Sequence, residues 1–431
     1  MHRRVFLVLA AAGLARVGTA DALTGQIASG KAIAASAAPT PADLLGATGD
    51  AYFIDWLNAF YVQARAAGVA RGVLDTALSG VSPDPRVVAL DSRQPEFVRP
   101  VGDYIRSAVS PQRIAIGRAK MRSIAALSTI EQVWGVPREI LLAIWAMESA
   151  FGSQMGDMDV VRSLATLAAL GRRRPWAERE LMACFKILAD GDAPRDRLRG
   201  SWAGAMGQTQ MLPSTYLSSA ADGDGDGRRD IWGSAPDALA SAANLLAKNG
   251  WRRDEGWARE VSLPPGFDYG LSEGPAEVPY WWAGKGATRA DGRSWSASDA
   301  AAKCVLLLPA GADGPAFLAL PNHFVIRAYN NSLAYALTVG LLADAFAGGG
   351  ALRRPWPTET VLSLDDRLAA QATLASLGFN PGTADGVIGL ATRQALRAWQ
   401  KANGLAADGY LSADMVRRLR GARPVSVPTR S

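Results

Sequence analysis

An apolar stretch of predicted helix that contains one carboxylate is the feature that most restricts how this chain folds. Residues 141–153 read LLAIWAMESAFGS, so seven apolar residues precede Glu148. Pro137 suits the first turn of a helix, and Gly152 suits a stop just past its end. A helix with so much apolar surface is expected to pack inside a core. Glu148 must then face solvent, pair with a cation, or ionise with difficulty.

The composition is that of a globular chain and limits the chemistry available to it. Of 431 residues, 49% are hydrophobic and 20% are charged, which is enough for two or three domains with a sizeable core. The net charge of +6 favours an anionic partner without identifying one. Only Cys184, Cys304, His2 and His323 are available as thiol or imidazole groups. This excludes a zinc cluster and leaves carboxylates to carry any hydrolytic chemistry.

Residues 1–22 have the layout of a signal peptide. Arg3 and Arg4 precede an apolar run of about nine residues, and small residues follow it. That run is far shorter than the ~20 residues that span a bilayer, and no other stretch is long enough. The paired arginines also fit a twin-arginine export signal. We therefore expect an exported protein without a transmembrane segment, with residues 23–48 as a flexible lead-in.

Helical periodicity then dominates the chain as far as about residue 346. It begins with Phe53, Trp56, Leu57 and Phe60, spaced i, i+3, i+4, i+7. Two apolar runs, at residues 303–308 and 316–320, are joined by a Gly/Pro loop and predict two short strands. We expect residues 49–347 to form one mainly α unit with a small β element.

A glycine run and two prolines, GGGALRRPWPTET, predict a domain linker at residues 348–360. Residues 361–421 follow as helix (365–377), turn, helix (390–403), loop and short helix (412–419), and residues 422–431 form a tail. The linker offers little that could bury a shared interface, so we expect each domain to fold alone.

Glu148 is the strongest candidate for chemistry. In an apolar pocket its pKa would rise, as a general acid for glycosidic cleavage requires. On spacing alone, an exposed or arginine-paired glutamate is the more ordinary interpretation. Its context includes residues 200–216, GSWAGAMGQTQMLPSTY, in which Ser201, Gln208 and Gln210 suit hydrogen bonding to sugar hydroxyl and N-acetyl groups. Gly/Ala clusters of this kind also occur where segments simply pack tightly.

Together, MESAFG and GSWAGAMGQTQMLPSTY resemble the catalytic signatures of the lytic murein transglycosylase B family, which has a goose-lysozyme-like α+β fold and cuts peptidoglycan. DSRQPEF, WGVPREI, ANLLAKNGW and AYNNSLAYA extend the resemblance, in order, over residues 50–347. It implies that Glu148 is the sole catalytic acid and base. It further implies substrate contacts from Ser201, Gln210, Tyr329, Asn330 and Tyr335.

The resemblance implies a reaction that needs one carboxylate. Glu148 would protonate the oxygen between MurNAc and GlcNAc, while the 2-acetamido group stabilises C1 in place of an Asp nucleophile. The ionised Glu148 would then take the proton of the MurNAc 6-hydroxyl, which closes a 1,6-anhydro sugar. Two alternatives are a lysozyme-like hydrolase that uses water and a non-catalytic wall-binding protein.

Residues 221–233, ADGDGDGRRDIWG, resemble a calcium loop. Asp222, Asp224, Asp226 and Asp230 take its positions 1, 3, 5 and 9. Position 12, where a bidentate acid is expected, is Gly233. The other interpretation is an Asp/Gly turn capped by its own side chains. We expect no required cofactor, and only weak binding if the loop takes Ca²⁺.

The C-terminal piece resembles the three-helix peptidoglycan-binding domain, through LGFNPG, DG and ALRAWQ at residues 377–400. Its basic residues are suited to carboxylates of peptide stems, although a solvated face is the ordinary interpretation for Arg417, Arg418, Arg420 and Arg423. The export signal and the absence of a nucleic-acid motif argue against nucleic acid as a partner. The resemblance implies that the partner is peptidoglycan strands. The resemblance places such an exported enzyme in the periplasm.

Overall fold

The computed structural model describes residues 49–92 and 97–422. The predicted signal peptide (1–22), the lead-in (23–48), the centre of the DSRQPEF motif (93–96) and the residues from 423 onward, with Arg423, lie outside the described residues. Among the helices of the described ranges, none combines the length and apolar character needed to cross a bilayer.

The described chain is mainly helical. In chain order its helices are α1 (Gly49–Ala66), α2 (Arg71–Leu78), α3 (Pro85–Ser92), α4 (Val101–Ala108), α5 (Pro111–Ser123), α6 (Leu127–Trp134), α7 (Arg138–Ser149), α8 (Val160–Leu170), α9 (Arg174–Asp190), α10 (Pro213–Ser219), α11 (Ala235–Lys248), α12 (Pro279–Gly284), α13 (Ala297–Ala301), α14 (Pro321–Tyr329), α15 (Leu333–Phe346), α16 (Leu364–Ser376), α17 (Leu390–Ala402) and α18 (Ala413–Arg420). The strands are β1 (Phe97–Val98), β2 (Met158–Asp159), β3 (Arg199–Gly200), β4 (Ala258–Ser262), β5 (Thr288–Arg289), β6 (Val305–Leu307), β7 (Ala316–Ala319) and β8 (Leu362–Ser363). The predicted fold class, mainly α with a small β element and a helical C-terminal piece, is confirmed.

Two compact units make up the chain, and each is described by itself. The first contains the described residues up to Ser92 together with Gly156–Met206 and Gln210–Ser218. In it, the predicted helical period of α1 buries Phe53, Trp56 and Phe60. Trp56 stacks on Phe60 with ring centroids 5.2 Å apart, and Phe60 meets Phe185 of α9. The periodic apolar face therefore packs inward as the sequence predicts.

The second unit contains the remaining described residues and has α7 in its helical core. Every residue from Ile140 to Ala146 is buried, because α7 packs against α5, α6, α11 and α15 on its several sides. A helix that is apolar all round is expected in this position. The core therefore fixes the backbone on which Glu148 stands.

A four-stranded antiparallel sheet in the second unit has the order β5-β4-β7-β6. The two predicted strands are β6 and β7, which pair antiparallel with Leu306 opposite Leu318. Sequence analysis missed β4 and β5. Neither reads as an apolar run, since β4 carries Arg259 and Glu260, and β5 has only two residues.

The three predicted C-terminal helices form within two residues of their expected bounds. Helices α16, α17 and α18 surround a separate small core that includes Leu374, Leu396, Trp399 and Leu419.

The expectation that the linker buries little shared interface is wrong. Trp356 stacks on Phe317 of β7 with ring centroids 6.2 Å apart. The backbone N–H groups of Arg353 and Arg354 donate to the carboxylate of Glu260. Strand β8 continues this contact by pairing antiparallel with β1. The prediction was based on the two prolines and three glycines of the linker. The observed contacts depend instead on Trp356 and on backbone N–H donors.

Candidate active site

Glu148 is the penultimate residue of α7, closer to its end than the sequence predicted. The helix stops at Ser149, and Ala150 and Phe151 adopt left-handed backbone with φ of 49° and 60°. The Phe151 N–H reaches back to the Trp145 carbonyl over 3.2 Å, which closes the last turn. The carboxylate thus lies at the carbonyl end of the helix, where the chain turns sharply away.

A buried polar contact anchors this helix end to the segment Gly207–Thr209. The Gln208 side chain accepts from Trp145 Nε1 (3.0 Å) and donates to the Trp232 carbonyl (3.2 Å). Ser149 Oγ donates to the Gln208 carbonyl and accepts from the Gly152 N–H. A Cβ at residue 152 would lie 2.6 Å from Gln208 Oε1, so only glycine fits there. We call this arrangement the Ser149–Gln208 anchor; it explains the Ser, Gly and Gln of the two motifs.

Tyr335 is the direct partner of Glu148. Its hydroxyl donates to Glu148 Oε1 over 2.6 Å. Asn330 ends α14, its side-chain oxygen accepts from the Ser332 N–H, and Ser332 in turn caps α15. This short connection places Tyr335 in the first turn of α15, facing α7.

The environment raises the pKa of Glu148 to about 7. Burial is the main cause, since it penalises the ionised form, and the Tyr335 hydrogen bond acts in the opposite direction. The negative end of the α7 dipole further disfavours a carboxylate at this position. Because Glu148 is only half-buried, it can still exchange protons with a ligand or with water. At neutral pH the group can therefore donate a proton and later accept one.

Two more phenols lie within electrostatic range of Glu148. The pKa of Tyr329 and that of Tyr104 are both raised, first by burial and then by the charge of Glu148. Tyr329 donates to the Thr209 carbonyl over 2.5 Å, next to Gln208 in the chain. Sequence analysis missed Tyr104, because nothing in the short helix α4 distinguishes a site residue from a packing one.

The other two predicted substrate residues belong to the first unit. Ser201 closes a tight loop, in which its Oγ accepts from the Ala205 N–H (3.1 Å) and its own N–H donates to the Ala205 carbonyl (2.7 Å). Gln210 has left-handed backbone with φ of 51°. Glu148, Tyr329, Asn330 and Tyr335 belong to the second unit, where Glu148 and Tyr335 are in contact and Tyr329 lies within electrostatic range.

The thiol and imidazole groups in the described part of the chain are unsuited to catalysis. Cys184 and Cys304 are free and buried, and burial raises the pKa of each, that of Cys304 to about 12. His323 is fully buried, and burial lowers its pKa to about 3. These states agree with the expectation that a carboxylate carries the chemistry.

In the calcium-like loop, the carboxylates that converge are those of Asp222, Asp224 and Asp237, with one oxygen of each within 4.8 Å of the others. Asp237 is buried and was not predicted as a ligand. Asp226 accepts from the Arg228 N–H, and Asp230 accepts from the N–H groups of residues 232 and 233. Asp237 was not recognised because it lies past the twelve positions of the motif, on α11.

Comparison with protein families gives two matches. The family model described as a transglycosylase SLT domain matches residues 52–344. The model described as a putative peptidoglycan binding domain matches residues 363–419.

Three individual proteins illustrate the similarity. Membrane-bound lytic murein transglycosylase B of Escherichia coli is 34% identical over 230 residues, which cover 52% of this chain and 60% of that protein, so this chain spans less than two thirds of its length. The crystal structure of SltB3 from Pseudomonas aeruginosa in complex with NAG-anhNAM-pentapeptide has a TM-score of 0.82 and 47% identity, covering 85% of this chain and 99% of that one. Escherichia coli Slt35, in complex with calcium, has a TM-score of 0.57 and 28% identity, covering 68% and 92%.

Proposed function

Since the chain belongs to the family of transglycosylase SLT domains, we propose that it is a lytic transglycosylase that cleaves the β-1,4 bond between MurNAc and GlcNAc in peptidoglycan. The observation that carries this proposal is a single carboxylate, Glu148, with a pKa of about 7 and a phenol hydrogen-bonded to it. Two similar proteins support it. One is the lytic murein transglycosylase of Escherichia coli, and the other is SltB3 of Pseudomonas aeruginosa, whose crystal structure contains NAG-anhNAM-pentapeptide.

Glu148 acts first as a general acid. Its proton goes to the glycosidic oxygen as the C1–O bond breaks, and the 2-acetamido carbonyl of MurNAc stabilises the positive charge at C1. The Tyr335 hydroxyl holds the carboxyl group and stabilises the carboxylate that remains.

In the second step Glu148 is a base. It takes the proton from the MurNAc 6-hydroxyl, whose oxygen bonds to C1, and so returns to its starting state with 1,6-anhydro-MurNAc as the product. One group performs both steps because its pKa lies near the working pH. We assign substrate contacts to Ser201, Gln210, Tyr329 and Asn330.

Mass spectrometry of the muropeptides released from purified sacculi tests this proposal. A transglycosylase yields anhydro ends, which are one water lighter than the reducing ends that a hydrolase yields. Anhydro ends are the expected result. Reducing ends would show a hydrolase, and no release, with binding retained, would show a non-catalytic wall-binding protein.

The enzyme acts on the cell wall in the periplasm. The similarity of residues 363–419 to a peptidoglycan binding domain supports attachment to the wall, and residues 1–22 supply the export signal. Detection of the shortened chain in a periplasmic extract, and of the full-length chain after Arg3 and Arg4 are replaced by Ala, would test the export signal.

Calcium is not part of the reaction, but the loop residues fit a weak cation site. Asp222, Asp224 and Asp237 supply converging oxygens, which suit a hard cation. The loop is already held without it, since Asp222 accepts from the Gly225 and Gly227 N–H groups. Calcium should therefore raise the melting temperature only slightly, and Asp237→Asn should remove that rise. A large loss of stability on chelation would contradict this proposal.

A further inference from the structure

A groove of about 540 Å³ opens beside the end of α7. One wall is the turn that follows Glu148, with Phe151 and Gln154, and the other is a face of α5. Arg113, Ile116 and Lys120 lie on that face at i, i+3 and i+7, which places them on one side of the helix. No lining residue is acidic.

The two cations of this groove have no acidic partner among the described residues. Arg113 is half-buried and donates to the Ala108 carbonyl over 2.9 Å, and Lys120 lies 5.5 Å above the centre of the Trp145 ring. Burial lowers the pKa of Arg113, as expected for a cation that has lost water without gaining a carboxylate. Half-buried cations without counter-ions favour an anionic ligand.

The groove lies close to Glu148. Phe151 follows Glu148 by three residues and meets the Trp145 ring edge-on, with centroids 5.5 Å apart. Tyr104 is within electrostatic range of both Glu148 and Arg113. A ligand bound at Glu148 therefore lies close to the groove.

We infer that this groove binds the peptide stem of the peptidoglycan strand being cut, with Arg113 and Lys120 pairing with carboxylates of the stem. The inference rests on the proposed function. The glycan chain itself is uncharged, because the lactyl carboxyl of MurNAc is used in the amide bond to the peptide. The carboxylates are on the peptide, and Ile116, which is 41% exposed, offers an apolar surface to its alanine methyl groups.

The test compares two soluble substrates of equal glycan length, one with stem peptides and one from which an amidase has removed them and whose lactyl carboxyl groups, freed by that cleavage, have been converted to uncharged methylamides. For each enzyme the measured quantity is the ratio of kcat/KM on the first substrate to kcat/KM on the second. Lys120→Ala should lower this ratio roughly fivefold, the scale of one partly exposed ion pair. Lys120→Glu should lower it further, and added salt should lower the ratio of the wild type.

Arg122→Ala is the matched control, because Arg122 is an exposed cation on the same helix and does not line the groove. It should leave the ratio unchanged. Arg113→Gln is a second test, with its melting temperature measured, since Arg113 also holds the Ala108 carbonyl.

The outcomes separate the inference from the proposed function. If the wild type cuts neither substrate, the proposed function fails. If it cuts both and the Lys120 variants leave the ratio at the wild-type value, the groove does not bind the stem. Binding to the Glu148→Gln variant, measured by calorimetry without turnover, should show the same loss on adding Lys120→Glu for the peptide-bearing glycan only.

Discussion

At the scale of single residues, the proposed activity depends on Glu148, a carboxyl group whose surroundings disfavour its ionised form. Glu148 could be interpreted from sequence as a raised-pKa acid only because its neighbours are apolar, and the direction of the shift agrees with that argument. The family resemblance implied that Tyr335 contacts the substrate; that it is the hydrogen-bond partner of Glu148 could not be predicted, because no spacing rule relates residues 187 positions apart. Tyr104 could not be predicted at all, since its nearness to Glu148 arises only from packing.

The first prediction concerns the hydrogen bond between Tyr335 and Glu148. This bond favours the ionised carboxylate, so Tyr335→Phe should raise the pKa of Glu148 above about 7. On the high-pH side of the pH–activity profile, where activity falls as Glu148 loses its proton, the midpoint should then move to higher pH. The value of kcat should also be lower. Tyr329→Phe is the control, because the Tyr329 hydroxyl donates to Thr209 instead. A shift to lower pH in Tyr335→Phe would contradict this assignment.

The second prediction concerns stability. Glu148 has a pKa of about 7 in the folded chain against 4.5 for an ordinary glutamate, so the folded state binds its proton more tightly. Stability is therefore lost as the pH rises from about 4 through about 7. Glu148→Gln removes this loss and should be more stable than the wild type at pH 8, by up to about 3 kcal/mol, but not at pH 4. Urea unfolding of both proteins at pH 4 and pH 8 measures the difference in stability. An equal difference at both pH values would contradict the predicted loss of stability on ionisation of Glu148.

At the scale of elements, long periodic helices were predictable and short strands were not. The face of α1 has a repeat that suits a helix, and Pro137 and Gly152 mark the two ends of the apolar α7. By contrast, β4 and β5 are strands because neighbours pair with them. The Ser149–Gln208 anchor joins the end of α7 to a loop 59 residues away. The sequence motifs identify both the end of α7 and the loop, but the hydrogen bonds between them depend on the fold.

The third prediction tests this anchor. Gln208→Leu should destabilise the protein by roughly 2–4 kcal/mol, because it removes the hydrogen bond to the Trp232 carbonyl and leaves the Trp145 N–H buried without a partner. Denaturation followed by tryptophan fluorescence measures the change. Gln154→Leu, at an exposed position, should cost little. If both substitutions cost the same, the buried hydrogen bonds of Gln208 are not what stabilises the helix end.

At the scale of the whole chain, the bounds of the C-terminal helices were predicted within two residues. The contacts that join these helices to the preceding part of the chain were not predicted. Glu273 forms ion pairs with Arg393 and Arg397 of α17, at 2.7 and 2.6 Å. Burial would raise the pKa of Glu273, yet the two arginines hold it below its usual range. Charged pairs between distant segments leave no periodic signal, so only the structure reveals that the C-terminal helices are docked.

The fourth prediction compares two truncations. A chain ending at residue 360 keeps Trp356 on Phe317, and one ending at residue 347 loses it, so the shorter chain should have the lower melting temperature. The longer one should cut short soluble glycans at close to the full-length rate. On sacculi its rate should fall, and most at low enzyme concentration. The reason is that the C-terminal domain, when present, raises the local concentration of the enzyme at the wall. Equal losses on both substrates would mean that the domain shapes the cleft.

The central claim, that Glu148 alone is both acid and base, is tested most directly by the rate at which Glu148→Gln releases muropeptides from sacculi. The amide matches the carboxyl in shape but has no acidic proton, and positioned acid–base groups contribute about 10²–10⁴-fold. The account predicts that release falls by at least this factor while sedimentation with sacculi is unchanged. Release of anhydro-muropeptides at close to the wild-type rate would contradict it.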